Sequence, residues 1–420
     1  MNRLSTTFSV ANFTTLRWCV VMGITWLITV QASATELDQL IKDALPAIPG
    51  VASARYTIQS ASLNMAIAQQ LSIGSAELTI EGNQKNASNF SSSIGLSLTQ
   101  SIFPILWENP ELSRSSIEVQ TAEAQYQLTL AAIWREFGNA YIDVWNNREI
   151  IGIAQTIEDR RQKNVELLTA RFNSGREHLG AWTWAGAQWD QAKIDTQIAR
   201  RNKNLAEQKL RIMTGNPGIS ITTLNVNQFL TLPTAPDFDK IVANLPSVIS
   251  KQLTILSLIC SKRGVENTLG PTAKVAVMGT ATQGSSASLS SGITGFVTVP
   301  LGLNGSTETK IKQADIAIAQ ATADYMAEIR NQKLQLIDAW NALKNAIDVL
   351  SVQTRLVAAA QKRSDIASAQ YNSGLITYDN WDLIESQTIS QMRQLQTAKV
   401  AVAKSNLDWQ IQQHNLGGVR

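Results

Sequence analysis

Apolar residues follow two rhythms along this chain. From about 111 to 172 they recur every three or four positions: Tyr126, Leu130, Ile133, Phe137, Ala140, Val144, then Ile151, Ala154, Val165, Leu168 and Phe172. That spacing draws a heptad-like stripe down one side of a helix. Polar Asn147, Glu158 and Arg161 interrupt it, and no proline does. About sixty helical residues reach on the order of 90 Å at ~1.5 Å each, more than a globular core needs. The chain turns at Asn173-Ser174-Gly175, a glycine helix stop, and returns as a second helix over about 181–213. A similar stripe runs from about 308 to 371, with Tyr325, Ile329, Leu336, Ala339, Leu343, Ala346 and Leu350. It turns at Asn372-Ser373-Gly374 and closes with a helix over about 380–414. Ahead of each long helix the period drops to two. Ala76 to Glu81, Ile94 to Thr99, Lys274 to Met278 and Ile293 to Val299 read as amphipathic strands paired in two hairpins. Polar or Gly/Ser-rich loops are expected over 82–89 and 280–291. Shorter helical stretches precede each hairpin, at 36–73, with a break at Pro46–Gly50, and at 249–269. A proline-bearing linker with Pro233, Pro236 and Pro246 separates the two halves.

The two halves are one unit written twice. The turn glycines Gly175 and Gly374 are 374 − 175 = 199 positions apart. In the same register Tyr126 falls on Tyr325, Asn146 on Asn345, Lys163 on Lys362, Trp182 on Trp381 and Gln188 on Gln387. One ungapped register therefore spans roughly a hundred residues per copy, enough to set the fold. The expected organisation is a leader over 1–34 and two repeats. The first repeat is 35–218, with strands near 75–81 and 93–102 and a helical hairpin near 108–214. The second is 219–420, with strands near 273–280 and 292–299 and a helical hairpin near 306–415.

Composition changes this picture only at the N-terminus. Arg3 and Arg17 flank an apolar run, Trp18 to Val30, too short to span a bilayer, and Ala32-Ser33-Ala34 offers a cleavage site. Export is therefore expected, with mature protein starting near Thr35. Loss of the leader removes Cys19 and leaves Cys260 alone, so no intramolecular disulfide is expected. The formal charge of +3 falls to +1 as the two arginines leave (3 − 2 = 1), which gives no reason to expect a nucleic-acid partner. His178 and His414 are the only histidines and have no ligand companions at useful spacing, so no metal is expected. No nucleophile motif or phosphate loop is present, so neither an enzyme nor a cofactor is expected.

Export and alternating strands suit an outer membrane, yet four strands per chain cannot close a barrel, for which about eight is the practical minimum. Open edges are not tolerated in lipid. Several chains can donate strands to one barrel, and three chains of four would make about twelve, an even number in the known range. The residues alone leave open an alternative: a soluble, elongated periplasmic coiled-coil adaptor or scaffold carrying a small sheet.

The order of elements resembles the TolC family of outer membrane efflux and secretion channels. The residues that carry the resemblance are Arg171-Phe172-Asn173-Ser174-Gly175, Tyr371-Asn372-Ser373-Gly374-Leu375-Ile376-Thr377-Tyr378 and the Thr214-Gly215-Asn216-Pro217 ending of the first half. The resemblance implies a mainly α fold with a small β part: a duplicated helix–β-hairpin–long helical hairpin unit. Three protomers would form a twelve-stranded outer membrane barrel joined to an α-helical periplasmic tunnel in a Gram-negative bacterium. It also implies a passive duct of a tripartite efflux pump or type I secretion system, served by a periplasmic adaptor and an inner-membrane transporter. Adaptor docking would fall on Asn173, Ser174, Gly175 and Arg176, and on Asn372, Ser373, Gly374 and Leu375. Arg176 departs from the apolar residue usual after the first glycine. An acidic tunnel mouth would draw on Asp379, Asp382 and Glu385, whose spacing lets them share a helix face. Helix-stop chemistry and a solvated first turn explain the same residues without a partner. Trp182, Trp184, Trp189 and Trp381 are expected to pack the hairpins, and Phe103 and Trp107 to reach the membrane interface.

Overall fold

The computed structural model describes residues 36–71, 75–86, 89–101, 110–215, 235–267, 272–283, 288–298 and 305–414. The leader, Phe103, Trp107 and residues 216–218 lie outside the described residues. In chain order, α1 (Glu36–Ala44) passes through a 3-10 turn (Leu45–Ala47) into α2 (Pro49–Leu71). The helix resumes at Pro49, ahead of the expected end of the break, because proline suits a first helical position. Strands β1 (Ser75–Asn86) and β2 (Asn89–Ser101) lead to the long helix α3 (Pro110–Asn173) and its return α4 (Leu179–Thr214). The second half opens with α5 (Phe238–Ala243) and α6 (Pro246–Asn267). It continues with β3 (Thr272–Gln283), β4 (Ser288–Thr298), α7 (Ser306–Asn372) and α8 (Tyr378–Gln412).

The short helix α5 lies where only a linker is expected. It forms because the Asp237 side chain accepts the Lys240 N–H at 3.3 Å, a helix N-cap. The strands also run beyond the alternating stretches. Gly82, Asn83 and Gln84 pair with Ser92, Ser91 and Phe90, and the register shifts only between Gln84 and Asn86. Thr280, Ala281 and Thr282 pair with Ser290, Leu289 and Ser288. Polar residues continue a ladder as readily as apolar ones, since the backbone makes the bonds.

The four strands form one antiparallel sheet in the order β1-β2-β3-β4, so the two hairpins join through β2 and β3. Its register sorts residue types into rows. Ala76, Leu98, Val277 and Ile293 lie in line across all four strands, as do Ile80, Ile94, Ala281 and Leu289. The alternate rows hold Thr79, Gly95, Thr280 and Ser290, and Glu81, Ser93, Thr282 and Ser288.

α3 and α7, at 64 and 67 residues, run about 100 Å at ~1.5 Å per residue. Each packs against its own return helix, α4 or α8, and α8 also packs against α3. α2 lies on α3, and α6 lies between α3 and α7. About midway along α3 and α7 the duplication reappears as packing. One buried cluster joins Ile41 and Leu45 to Phe137, Val144, Leu210 and Leu407. Its counterpart joins Val242, Leu245 and Val248 to Leu336, Leu343 and Trp409. Phe137, Val144 and Leu210 fall on Leu336, Leu343 and Trp409 in the 199-residue register. Trp134, Tyr141, Ile142 and Trp145 lie off the single stripe of α3 and are also buried, because α1, α2, α4 and α8 all pack on this helix. Gly138 admits α8 at this level: a Cβ there would stand 2.5 Å from a Leu407 methyl.

Candidate functional site

The two turns close both helical hairpins with one backbone device. Gly175 and Gly374 adopt φ +69° and +78°, a left-handed conformation that glycine alone takes without a steric penalty. The Arg176 N–H donates to the Arg171 carbonyl at 2.9 Å and the Gly175 N–H to the Phe172 carbonyl at 2.9 Å. The Leu375 and Gly374 N–H groups repeat the pattern to Gln370 at 2.9 Å and Tyr371 at 3.0 Å. This is the Schellman closure twice over, and it satisfies the last carbonyls of each helix.

The return helices are capped at matching positions by unlike residues. Thr377 Oγ1 accepts the Asn380 N–H at 3.4 Å. His178 Nδ1 accepts the Ala181 N–H at 3.1 Å, which requires a neutral ring with its proton on Nε2. Gly180 makes room for the imidazole, since a Cβ there would stand 3.1 Å from Nδ1. His178→Ala is expected to cost about 1 kcal/mol in the first turn of α4. Hydrogen exchange should report it as a several-fold loss of protection at the Ala181 amide, with protection kept in His178→Asn.

Behind the turns the hairpins lock side by side. Leu168, Ala181 and Ala185 from the first pack with Ala367, Tyr371, Tyr378 and Trp381 from the second. Tyr371 stacks on Trp381 at 4.6 Å between ring centroids, and Tyr378 meets both rings edge-on. The Arg171 guanidinium lies 4.5 Å over the Tyr371 ring and donates to the Tyr371 carbonyl at 2.9 Å. The Tyr371 hydroxyl donates to Glu177 Oε2 at 2.5 Å. Burial pushes the Tyr371 phenol up, and the bond to Glu177 adds to it. Burial also raises Tyr378, with the Asp382 charge adding to it. Both tyrosines therefore stay protonated at physiological pH, and Tyr371 keeps its donor for Glu177.

Of the expected tryptophans, Trp381 is buried in this cluster. Trp182 stacks on Phe172 at 5.3 Å and donates to Thr169 at 3.0 Å. Trp184 instead stands exposed, while Lys193 covers the Trp189 ring at 3.2 Å. Asn173, Ser174, Gly175 and Arg176 are exposed, as are Asn372, Ser373, Gly374 and Leu375. Leu375 is 74% accessible, an apolar knob at the apex of the second turn.

The three acids occupy unlike environments. Asp379 is exposed in the first turn of α8. Asp382 accepts from Arg161 at 2.6 Å and from Gln188 Nε2 at 2.9 Å. Glu385 is buried, accepts from Arg160 at 3.1 Å and is bonded by Ser364. The consecutive arginines of α3 thus splay onto two carboxylates one helical turn apart on α8, and α4 and α7 supply Gln188 and Ser364. The sequence marks Arg161 as a polar break in an apolar stripe but does not name its partner.

Among the described residues no cluster of His, Cys, Asp and Glu suits a metal ion. Likewise none of the described helices is long and apolar enough to cross a membrane, which says nothing of a strand-built barrel.

No protein-family model matches the chain. It is 24% identical over 370 residues to the outer membrane protein TolC of Escherichia coli (strain K12), covering 83% of this chain and 73% of that one. Its fold matches the outer membrane protein VceC of Vibrio cholerae with a TM-score of 0.77 and 16% identity, over 91% of this chain and 96% of the other. It matches the open-state outer membrane channel MtrE of Neisseria gonorrhoeae with a TM-score of 0.77 and 15% identity, over 91% and 89%. Sequence relative, fold and duplicated layout agree: the chain is similar in sequence to TolC and has the fold of these outer membrane proteins.

Proposed function

We propose that three copies of this chain form the outer membrane channel of a tripartite efflux pump or type I secretion system. The observation that carries this reading is the sheet. It has four strands, apolar and polar rows that alternate through the middle of the sheet, and open edges at β1 and β4. Its strands of 11 to 13 residues are long enough to cross a bilayer at a tilt. A sheet with one apolar face and two open edges is stable in lipid only when closed on itself. Three copies joined β4 to β1 would make about twelve strands, with the apolar rows toward lipid and the polar rows lining the pore. The long helices then continue the pore as a tunnel into the periplasm, ending at the two turns. Transport is passive, and energy comes from an inner-membrane transporter. The relatives matched over most of the chain are named outer membrane proteins and channels, which favours this reading over a soluble periplasmic scaffold. Cell fractionation tests it: detergent-resistant trimers in the outer membrane are expected, and a soluble periplasmic pool would refute it.

The exposed turns are the docking surface for a periplasmic adaptor. Hairpin two offers the Leu375 knob, while hairpin one offers Arg176 at the matching place. At the mouth, Arg160 and Arg161 already neutralise Glu385 and Asp382, which leaves Asp379 as the carboxylate free to attract cations from the opening. Asp379→Ala is therefore expected to lower cation selectivity and divalent-cation block in single-channel recordings, and more so than Asp382→Ala. Equal currents and equal block in Asp379→Ala and the parent protein would remove the acidic mouth.

A further inference from the structure

A groove of about 420 Å³ runs along α3 between α4 and α8, a volume in the range of small-molecule sites. Its floor is apolar: Ile150, Ile153 and Ile157 of α3, with Ile198 of α4 and Val400 of α8 at the sides. Arg393 of α8 reaches over α3 to Asp195 of α4 at 3.0 Å. Asn146 and Gln396, bonded to each other at 3.2 Å, line the end farther from the turns.

The side on which the groove opens follows from helix periodicity, together with the ring proposed above. Tyr141 and Val144 belong to the buried cluster that α1 enters with Ile41 and Leu45. Ile150 and Ile153 follow them by nine residues each (150 − 141 = 153 − 144 = 9). Nine residues are about two and a half turns, which puts the isoleucines on the opposite face of α3. Three copies with α1 turned inward would plug the pore. In the ring α1 therefore lies outside, and the groove opens on the lumen once per copy.

The charged groups of the groove are unevenly engaged. Asp195 accepts at both oxygens, Oδ1 from Gln191 at 2.8 Å and Oδ2 from Arg393. Arg393 is 58% accessible and makes that one ion pair among the described residues. A guanidinium carries five N–H donors, so most of them remain for a ligand. Their planar fork suits a carboxylate or sulfonate. Asp195 and Arg393 are the charged side chains lining the groove.

We propose that this groove is a transit site for small amphipathic anions, with the apolar body on the isoleucines and a carboxylate or sulfonate on Arg393. Weak holding suits a duct, since a ligand must leave as readily as it enters. The site rests on the proposed ring for its place in the pore. Single channels in a planar bilayer test it, with naphthalenesulfonate added on the barrel side as the probe. The sulfonate should interrupt the current with a saturable concentration dependence. Naphthalenemethanol, which has the same rings and no charge, should need about tenfold more. Arg393→Gln should weaken the sulfonate block by about tenfold, and Ile153→Asn should weaken it with Arg393 still in place. Asp195→Asn, which removes the competing acid, should strengthen the block several-fold, a gain that a loosened fold would not give. No block by the sulfonate, equal block in the parent, Arg393→Gln and Asp195→Asn channels, or equal potency of the alcohol would overturn the site while leaving the ring intact. A parent protein that opens no channel would overturn both.

Discussion

Arg161→Ala is expected to destabilise the turn-proximal half of the protein by about 3–5 kcal/mol, the cost of removing one partner from a buried ion pair. Only 9% of the Arg161 side chain and 16% of Asp382 are accessible. Without the guanidinium, Asp382 keeps Gln188 as a donor but loses its counter-charge, and Ser386 loses the Arg161 bond of 3.0 Å. The mutant should unfold at lower denaturant concentration, with protection first lost where α3 meets α8. The loss should come from a stranded charge more than from a missing attraction. Arg161→Met combined with Asp382→Leu should then recover much of the stability, because an apolar pair of similar volume needs no desolvation. If the single mutant unfolds at the parent midpoint, the pair is not holding the hairpins together.

Trp409→Ala should be of similar size, about 3–5 kcal/mol for a fully buried large aromatic side chain. Trp409 is 1% accessible and sits between Trp340, 5.1 Å away, and Phe238, 6.4 Å away and edge-on. It is the anchor that fixes α5 onto α7 and α8. Its removal should free α5 before the rest of the chain unfolds, so limited proteolysis should cut first within 235–245. Trp409→Phe, which keeps an aromatic ring in the site, should be much milder. An unaltered cleavage pattern in Trp409→Ala would show that α5 is held by something else.

These two residues also mark how far the sequence can be read. The long helices and the turn glycines are local patterns, each visible in a single stretch of chain, and the repeat appears once two such stretches are laid over one another. The Schellman closures follow from Asn-Ser-Gly itself. Arg161 is visible only as an irregularity, because Asp382 lies 221 positions away and no local rule pairs them. Arg160 and Glu385 are hidden in the same way, so the spacing of Asp379, Asp382 and Glu385 suggests three equivalent acids where the fold makes one free and two paired. The His178 cap was within reach: His178 stands 199 positions before Thr377, a residue type usual at that place. The helix α5 was hidden by the prolines around it, although Asp237 is an ordinary cap. The strands outrun their apolar alternation because ladder bonds belong to the backbone, and composition near a hairpin loop does not say where pairing stops.

Everything proposed for this chain depends on copies sharing one pore. Purified, leader-free protein added to a planar lipid bilayer should give discrete, uniform conductance steps, and its mass in mild detergent should be that of three chains. Steps that are absent while the protein remains folded, or conductance from a species with the mass of one chain, would contradict the account.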